Sequence, residues 1–232
     1  MDTINACLVV SSGMAGAGNT TICKELARQI ANAVYLDRDD VLWGLMYVAP
    51  GDVPSLLPFE EYVKNDGILP DHVRNISTFS GPMVKIVQRS GFYHRHVKNQ
   101  SYLLLERLAK QHLALGKVAI IDSFLMRQVN NGTLRAFLEQ EYFHPYPKRV
   151  LHFAASANAC YARHRKRSET YSEEEALLRQ ELSASRNSFD EEVRLKYHES
   201  PVGLKNISHL VVNTDGRSVQ ESVSECLAYI AG

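Results

Sequence analysis

The chain has 232 residues, which at roughly 150 per domain is one large domain, or a domain with an insert. Lys plus Arg and Asp plus Glu both total 26, so the formal net charge is zero and the pI is near 7.1. That balance argues against a dedicated nucleic-acid binder, which normally carries a surplus of positive charge, and leaves room for a local basic patch. No apolar run approaches the ~20 residues that cross a bilayer.

The first residues lack the basic segment and long apolar stretch of a secretion signal. Cys7, Cys23, Cys160 and Cys226 are scattered, with no C-x-x-C pair. They are expected to be reduced, buried thiols of a cytoplasmic protein.

In chain order, Ala6 to Ser11 is a β-branched, apolar run that predicts a buried strand. It passes into the glycine-rich Gly13-Met-Ala-Gly-Ala-Gly18. Thr20 to Ala33 follows as a helix, with Ile22, Leu26 and Ile30 at four-residue spacing. Ala33 to Leu36 predicts a second strand, ending in the acidic run Asp37-Arg38-Asp39-Asp40.

Residues 44–100 fit no clean period and hold five of the eight prolines, so they are expected to be an insert of short helices and loops. Beyond it the alternation resumes. A helix from Tyr102 to Leu115 is closed by Gly116, and Val118 to Ile121 is the third strand, ending at Asp122. Arg149 to Phe153 is the fourth, followed by a basic helix through Arg167. Leu210 to Asn213 is the fifth, and Val219 to Ile230 is a closing amphipathic helix. This order predicts a mostly parallel sheet covered on both faces.

The glycine segment matches the phosphate-binding pattern G-x-x-x-x-G-K-[ST] except at one position. Gly13, Gly16, Ala17 and Gly18 form the loop, followed by Asn19, Thr20 and Thr21. Backbone N–H groups of such a loop converge on phosphate oxygens, the helix N-terminus adds positive potential, and the threonine hydroxyl holds Mg²⁺. Asn19 stands where a lysine would reach the terminal phosphates, and an amide supplies no charge there.

With these residues in place, the sequence resembles the phage polynucleotide kinase family and its relatives, chloramphenicol phosphotransferase and the zeta toxins. The likeness is carried by the glycine loop, by Tyr35 to Leu42 with its R-D-D run, and by Gly116-Lys-Val-Ala-Ile-Ile-Asp-Ser123. It covers about residues 6–44 and 101–230. It implies a single three-layer α/β domain of the P-loop NTPase class, with a five-stranded parallel sheet in the order 2-3-1-4-5. The helical insert would lie on the acceptor side, and a lid at about 160–185.

The resemblance further implies Asp39 as general base, with Asp37 as runner-up, Asp122 beside the metal with Thr20, and Arg163 and Arg167 as lid arginines. It places Asn213 to Gly216 near the base of the nucleotide. Each site has a plainer alternative: an acidic turn capping a helix, a turn aspartate, and a solvated basic stretch facing Glu169 and Glu173 to Glu175. Where the family has an arginine three residues after its base, this chain has Leu42.

The expected activity is an ATP-dependent, Mg²⁺-dependent transfer of a γ-phosphoryl group to a hydroxyl of a small-molecule or nucleotide acceptor, a long nucleic acid being disfavoured by the neutral charge. The alternative is a pseudokinase, a nucleotide-binding interaction module without transfer, for which Asn19 and Leu42 speak. The sequence identifies neither the acceptor nor an oligomeric state.

Overall fold

A computed structural model describes residues 4–41, 98–124, 126–168 and 202–232. The expected insert at 44–100 and the expected lid at 160–185 therefore fall largely outside the described residues. The chain divides into two compact units. One comprises Met1–Asp37, Leu105–Thr170 and Arg186–Gly232, the other Arg38–Leu104 and Tyr171–Ser185.

The first unit holds the sheet. Its strands are β1 (Leu8–Gly13), β2 (Ala33–Asp37), β3 (Val118–Phe124), β4 (Lys148–Ala154) and β5 (His209–Asn213). They lie in the order β2-β3-β1-β4-β5, every neighbouring pair parallel. This is the P-loop NTPase α/β fold. Parallel strands are covered on both faces, so their sequences read as continuous apolar runs rather than alternations. All six residues of the central β1 are buried.

The helices are α1 (Asn19–Gln29), α2 (Lys98–Ala114), α3 (Met126–Asn130), α4 (Thr133–Leu138), α5 (Ala157–Ser168) and α6 (Val219–Ala231). Along one face Cys7, Val9, Ile120, Leu151, Phe153 and Val212 form a core with Ile22, Cys23 and Leu26 of α1 and Val223, Cys226 and Ile230 of α6. On the other, Phe124 meets Phe137 of α4 at 5.3 Å between ring centroids, and Phe137 meets Phe143 at 5.2 Å. The four cysteines are free and buried, and burial pushes the Cys7 thiol up to about 11.

Element ends are set by local chemistry. α1 ends at Gln29, where Ile30 turns extended, four residues short of the sequence expectation. α2 ends in a Schellman motif. Gly116 (φ +76°) donates to the Leu113 carbonyl at 3.0 Å, and Lys117 to that of His112 at 3.0 Å. α6 begins with a capping box, in which Glu221 N–H donates to Ser218 Oγ and Ser218 N–H to the Glu221 carboxylate. The short helices α3 and α4, joined through Gly132 (φ +79°), have no counterpart in the sequence reading.

Candidate active site

The C-terminal ends of β1, β2 and β3 bring one residue from each strand into line. Register pairs Ser11 with Asp122 and Asp37 with Asp122. In parallel pairing such partners point to the same face, here the face of α1. The loop between β1 and α1 rises from this row, where ligands of open α/β sheets gather.

The loop is shaped by three glycines with positive φ: Gly13 (+152°), Gly16 (+88°) and Gly18 (+100°). Gly13 admits no side chain, since an added Cβ would stand 2.5 Å from the Phe153 carbonyl oxygen. Gly18 is the N-cap of α1 and offers no side-chain cap; the first turn holds no acidic residue. α6 caps its start with Ser218, whereas α1 begins at Gly18 with no side-chain cap. Uncapped N–H groups at the positive end of a helix form an anion-binding site.

Asp122 lies beside this helix start and accepts three hydrogen bonds, all from hydroxyls. Ser11 Oγ donates to Oδ1 at 2.7 Å, Thr20 Oγ1 to Oδ2 at 2.7 Å, and Tyr35 Oη to Oδ2 at 3.0 Å. Tyr35 Oη also stands 2.9 Å from Asp37 Oδ2, so one phenol lies between two carboxylates. Burial, then the charges of Asp122 and Asp37, push the Tyr35 pKa far up, so the hydroxyl stays protonated and donates. Beneath the row Cys23 is fully buried, and burial raises its thiol well above the ordinary range. The Thr20 hydroxyl and Asp122 carboxylate form an all-oxygen donor pair, which suits Mg²⁺. Among the described residues no cluster of three or more His, Cys, Asp or Glu could hold a metal.

Asn19 is the first residue of α1, and its amide folds back toward the start of the loop. A Cβ on Gly13 would meet its Oδ1 at 3.1 Å and its Nδ2 at 3.2 Å. That Oδ1 is buried and has no hydrogen-bond partner.

Arg163 reaches from α5 to the back of the loop. Its Nη1 donates to the Gly16 carbonyl at 3.0 Å and to Thr214 Oγ1 at 3.0 Å, and its Nη2 to the Thr214 carbonyl at 2.8 Å. Thr214 Oγ1 in turn donates to the Ala17 carbonyl at 2.8 Å. The turn after β5 and the glycine loop are thus joined through one guanidinium. Arg167 lies in the same helix, and its side chain falls outside the described residues.

The structure therefore brings together the loop, Thr20, Asp122 and Arg163. Asp39 belongs to the second unit, exposed in the helical residues 38–41, while Asp37 closes β2 in the first. Next to Asp39, Arg38 is buried, its Nε donating to Ser101 Oγ at 3.4 Å and its guanidinium lying 4.7 Å from the centre of the Tyr102 ring. Sequence reasoning did not single out Ser11 or Tyr35 as site residues, and it took in Thr214 only as part of the turn Asn213 to Gly216. Only the tyrosine in an otherwise aliphatic strand end gave a signal.

The profile of one protein family, described as AAA domain, matches residues 8–191, from the start of β1 into the region after α5. The chain belongs to the AAA domain family. No curated protein sequence matches it. Solved structures share the fold at low identity. The APS kinase of Mycobacterium tuberculosis, solved with AMPPNP and APS, is 13% identical with a TM-score of 0.53, over 99% of each chain. The tunicamycin resistance protein of Deinococcus radiodurans is 13% identical with a TM-score of 0.52, over 96% of this AAA-domain chain and 94% of its own. A sugar kinase from Janibacter is 14% identical with a TM-score of 0.50, over 97% of this chain and 94% of its own. No helix among the described residues of the AAA-domain chain is long and apolar enough to cross a membrane.

Proposed function

We propose that the protein is a phosphotransferase that moves the γ-phosphoryl group of ATP to a hydroxyl of a small-molecule or nucleotide acceptor. The observation that carries this reading is the 2.7 Å hydrogen bond between Thr20 and Asp122. It joins the helix start of the glycine loop to the acidic end of β3. Phosphoryl transfer demands positioning and charge neutralisation more than covalent chemistry, and these groups meet where a nucleotide's phosphates would end.

In this reading the N–H groups from Gly13 to Thr21 cradle the phosphates, including those of Gly16, Ala17, Gly18, Asn19 and Thr20. Thr20 and Asp122 hold Mg²⁺, which when bound spreads the charge of the transferring group. Asp39 takes the proton of the acceptor hydroxyl, with Asp37 as the other candidate carboxylate at the end of β2. Arg163 and Arg167 bring positive charge to the donor side. In the same reading residues 44–100 are the acceptor-side insert of a kinase-like domain and residues 160–185 its lid. That a sugar kinase and an APS kinase share the fold supports the same class.

Asn19 favours the second reading, a nucleotide-binding interaction module without transfer, because it leaves the loop without the charge a lysine supplies. Radiolabelled γ-phosphate ATP, incubated with a library of hydroxyl compounds, separates the two. The first reading expects label on an acceptor with the native chain and at least about a 100-fold loss with Asp122→Asn, the range for removing a group that stabilises transition-state charge. Nucleotide binding with no labelled acceptor, and a slow ATP hydrolysis indifferent to Asp122→Asn, would refute it in favour of the second.

A further inference from the structure

Thr214 is only 4% exposed, although it sits in the turn after β5 between the exposed Asn213 and Gly216. A buried hydroxyl must find partners. Arg163 Nη1 donates to this one at 3.0 Å, and the carbonyls of Ala17 and Ala154 lie 2.8 and 3.4 Å away. A guanidinium can only donate, so the hydroxyl proton goes to a carbonyl, and the nearer is that of Ala17. The backbone of Thr214 is held as well. Its N–H donates to the Ala154 carbonyl at 2.9 Å, and its carbonyl accepts from Arg163 Nη2 at 2.8 Å.

On the loop side these contacts fall on successive peptide planes. In a trans peptide the C=O and the following N–H point in opposite directions, and there is no cis peptide among the described residues. The Gly16–Ala17 plane is held at both edges. Its carbonyl takes Arg163 Nη1 at 3.0 Å, and its N–H donates to the Met14 carbonyl at 3.1 Å. The Ala17–Gly18 plane is held at one edge. Its carbonyl takes the Thr214 hydroxyl, and no hydrogen bond among the described residues uses the Gly18 N–H. Gly18 is the N-cap of α1, so this N–H stands beside the positive end of that helix.

We propose that Thr214 is a positioning residue of the phosphate site: its hydroxyl, anchored by Arg163, fixes the Ala17–Gly18 peptide so that the Gly18 N–H faces a donor phosphate. The inference rests on the phosphotransferase reading and deepens it, since Thr214 acts there through the loop and touches no phosphate. A donor fixed before the anion arrives loses no orientational freedom on binding. Without the hydroxyl the plane is free to rotate, and its other edge offers an oxygen, which repels phosphate. With asparagine where a lysine would stand, the loop draws a larger share of its attraction from such N–H groups.

Inorganic tripolyphosphate occupies the loop without a nucleoside, and its calorimetric titration into the full chain at constant Mg²⁺ tests this. Thr214→Val keeps the shape and removes the hydroxyl; Thr214→Ser keeps the hydroxyl and removes the methyl. Thr214→Val is expected to bind tripolyphosphate at least about tenfold more weakly than the native chain, and Thr214→Ser within about threefold of it. In ¹H–¹⁵N spectra the native Gly18 amide proton is expected to move downfield as tripolyphosphate saturates, the mark of a new bond to an anion. In folded Thr214→Val that movement is expected to be smaller, an effect that a change in stability alone would not produce.

Equal affinity of Thr214→Val and the native chain would overturn the inference and leave the phosphate site standing, as would equal losses in Thr214→Val and Thr214→Ser. A Gly18 amide that stays in place at saturation would overturn it on the native chain alone, whether or not Thr214→Val folds. If the native chain binds neither tripolyphosphate nor AMP-PNP, the inference and the phosphotransferase reading fall together.

Discussion

Replacing Arg163 by methionine keeps the aliphatic stem and removes the guanidinium. Three hydrogen bonds go with it: Gly16 O at 3.0 Å, Thr214 Oγ1 at 3.0 Å and Thr214 O at 2.8 Å. A bond from a charged donor contributes about 1.5–3 kcal/mol when buried. Arg163 is only partly buried, so water restores part of that, and about 1 kcal/mol per bond is the better figure. The sum is about 3 kcal/mol, which for a chain of this size lowers Tm by about 6–12 °C.

The loss is also local. With Arg163 gone, Thr214 keeps its bond to Ala17, but the Gly16 carbonyl loses its anchor, and the loop opens more often. Urea unfolding and amide hydrogen exchange at residues 14–18 measure both effects. Faster exchange there, with a smaller change in Arg163→Lys, is the expected result. If Arg163→Met unfolds within about 0.5 kcal/mol of the native chain and exchange at 14–18 is unchanged, the guanidinium does not hold the loop. A loss of phosphoryl transfer without those changes would assign it to the lid alone.

Gly13→Ala forces a Cβ to within 2.5 Å of the Phe153 carbonyl at a φ of +152°, and is expected to lower stability by about 3 kcal/mol in urea unfolding. Gly116→Ala, with a φ of +76° and open space around it, is the control and is expected to cost about 1 kcal/mol; equal losses would refute the packing argument. His152 is buried on β4, its Nδ1 3.2 Å from Ser12 Oγ, and burial, then the charge of His209, lowers its pKa from 6.5 to about 4. Neutral in the folded chain, it takes up a proton on unfolding, so its contribution to stability is present above pH 6.5 and is lost as pH falls toward 4. That loss is on the order of 3 kcal/mol, and urea unfolding from pH 7 to pH 4 should show a shallower decline for His152→Gln; parallel curves would refute it.

Much of the framework was legible because buried parallel strands must be apolar throughout, and runs such as Val118 to Ile121 have few other uses. Glycine punctuation was equally direct: Gly13, Gly18 and Gly116 each mark a place where the chain takes a positive φ. The short helices α3 and α4, five and six residues long, were invisible because so few turns establish no hydrophobic period. The site was legible as residue types and only partly as contacts. Thr20 and Asp122 were paired by motif. The line from Asp37 through Asp122 to Ser11 is a product of strand register, which no local spacing encodes. Arg163 stood out as part of a basic run, but nothing in that run reveals that its partners are the carbonyls of Gly16 and Thr214.

β1 shows how the fold and the candidate site share one strand. Leu8, Val9 and Val10 are fully buried and apolar, and the next two positions, just as buried, are Ser11 and Ser12. A strand selected only for stability would continue with valine or isoleucine, since a buried hydroxyl must find a partner merely to break even. Each serine has one, on opposite faces: Ser11 bonds Asp122 and Ser12 meets His152. The pairing with β3 shifts register between these two residues, where the strand leaves its apolar part. Small side chains also let the glycine loop turn immediately afterwards, at a point where even a Cβ on Gly13 would strike β4. The polar end of β1 contributes little to the core that larger residues would not supply better. Its residues make sense as the floor of the site, holding Asp122 where the loop and the end of β2 converge.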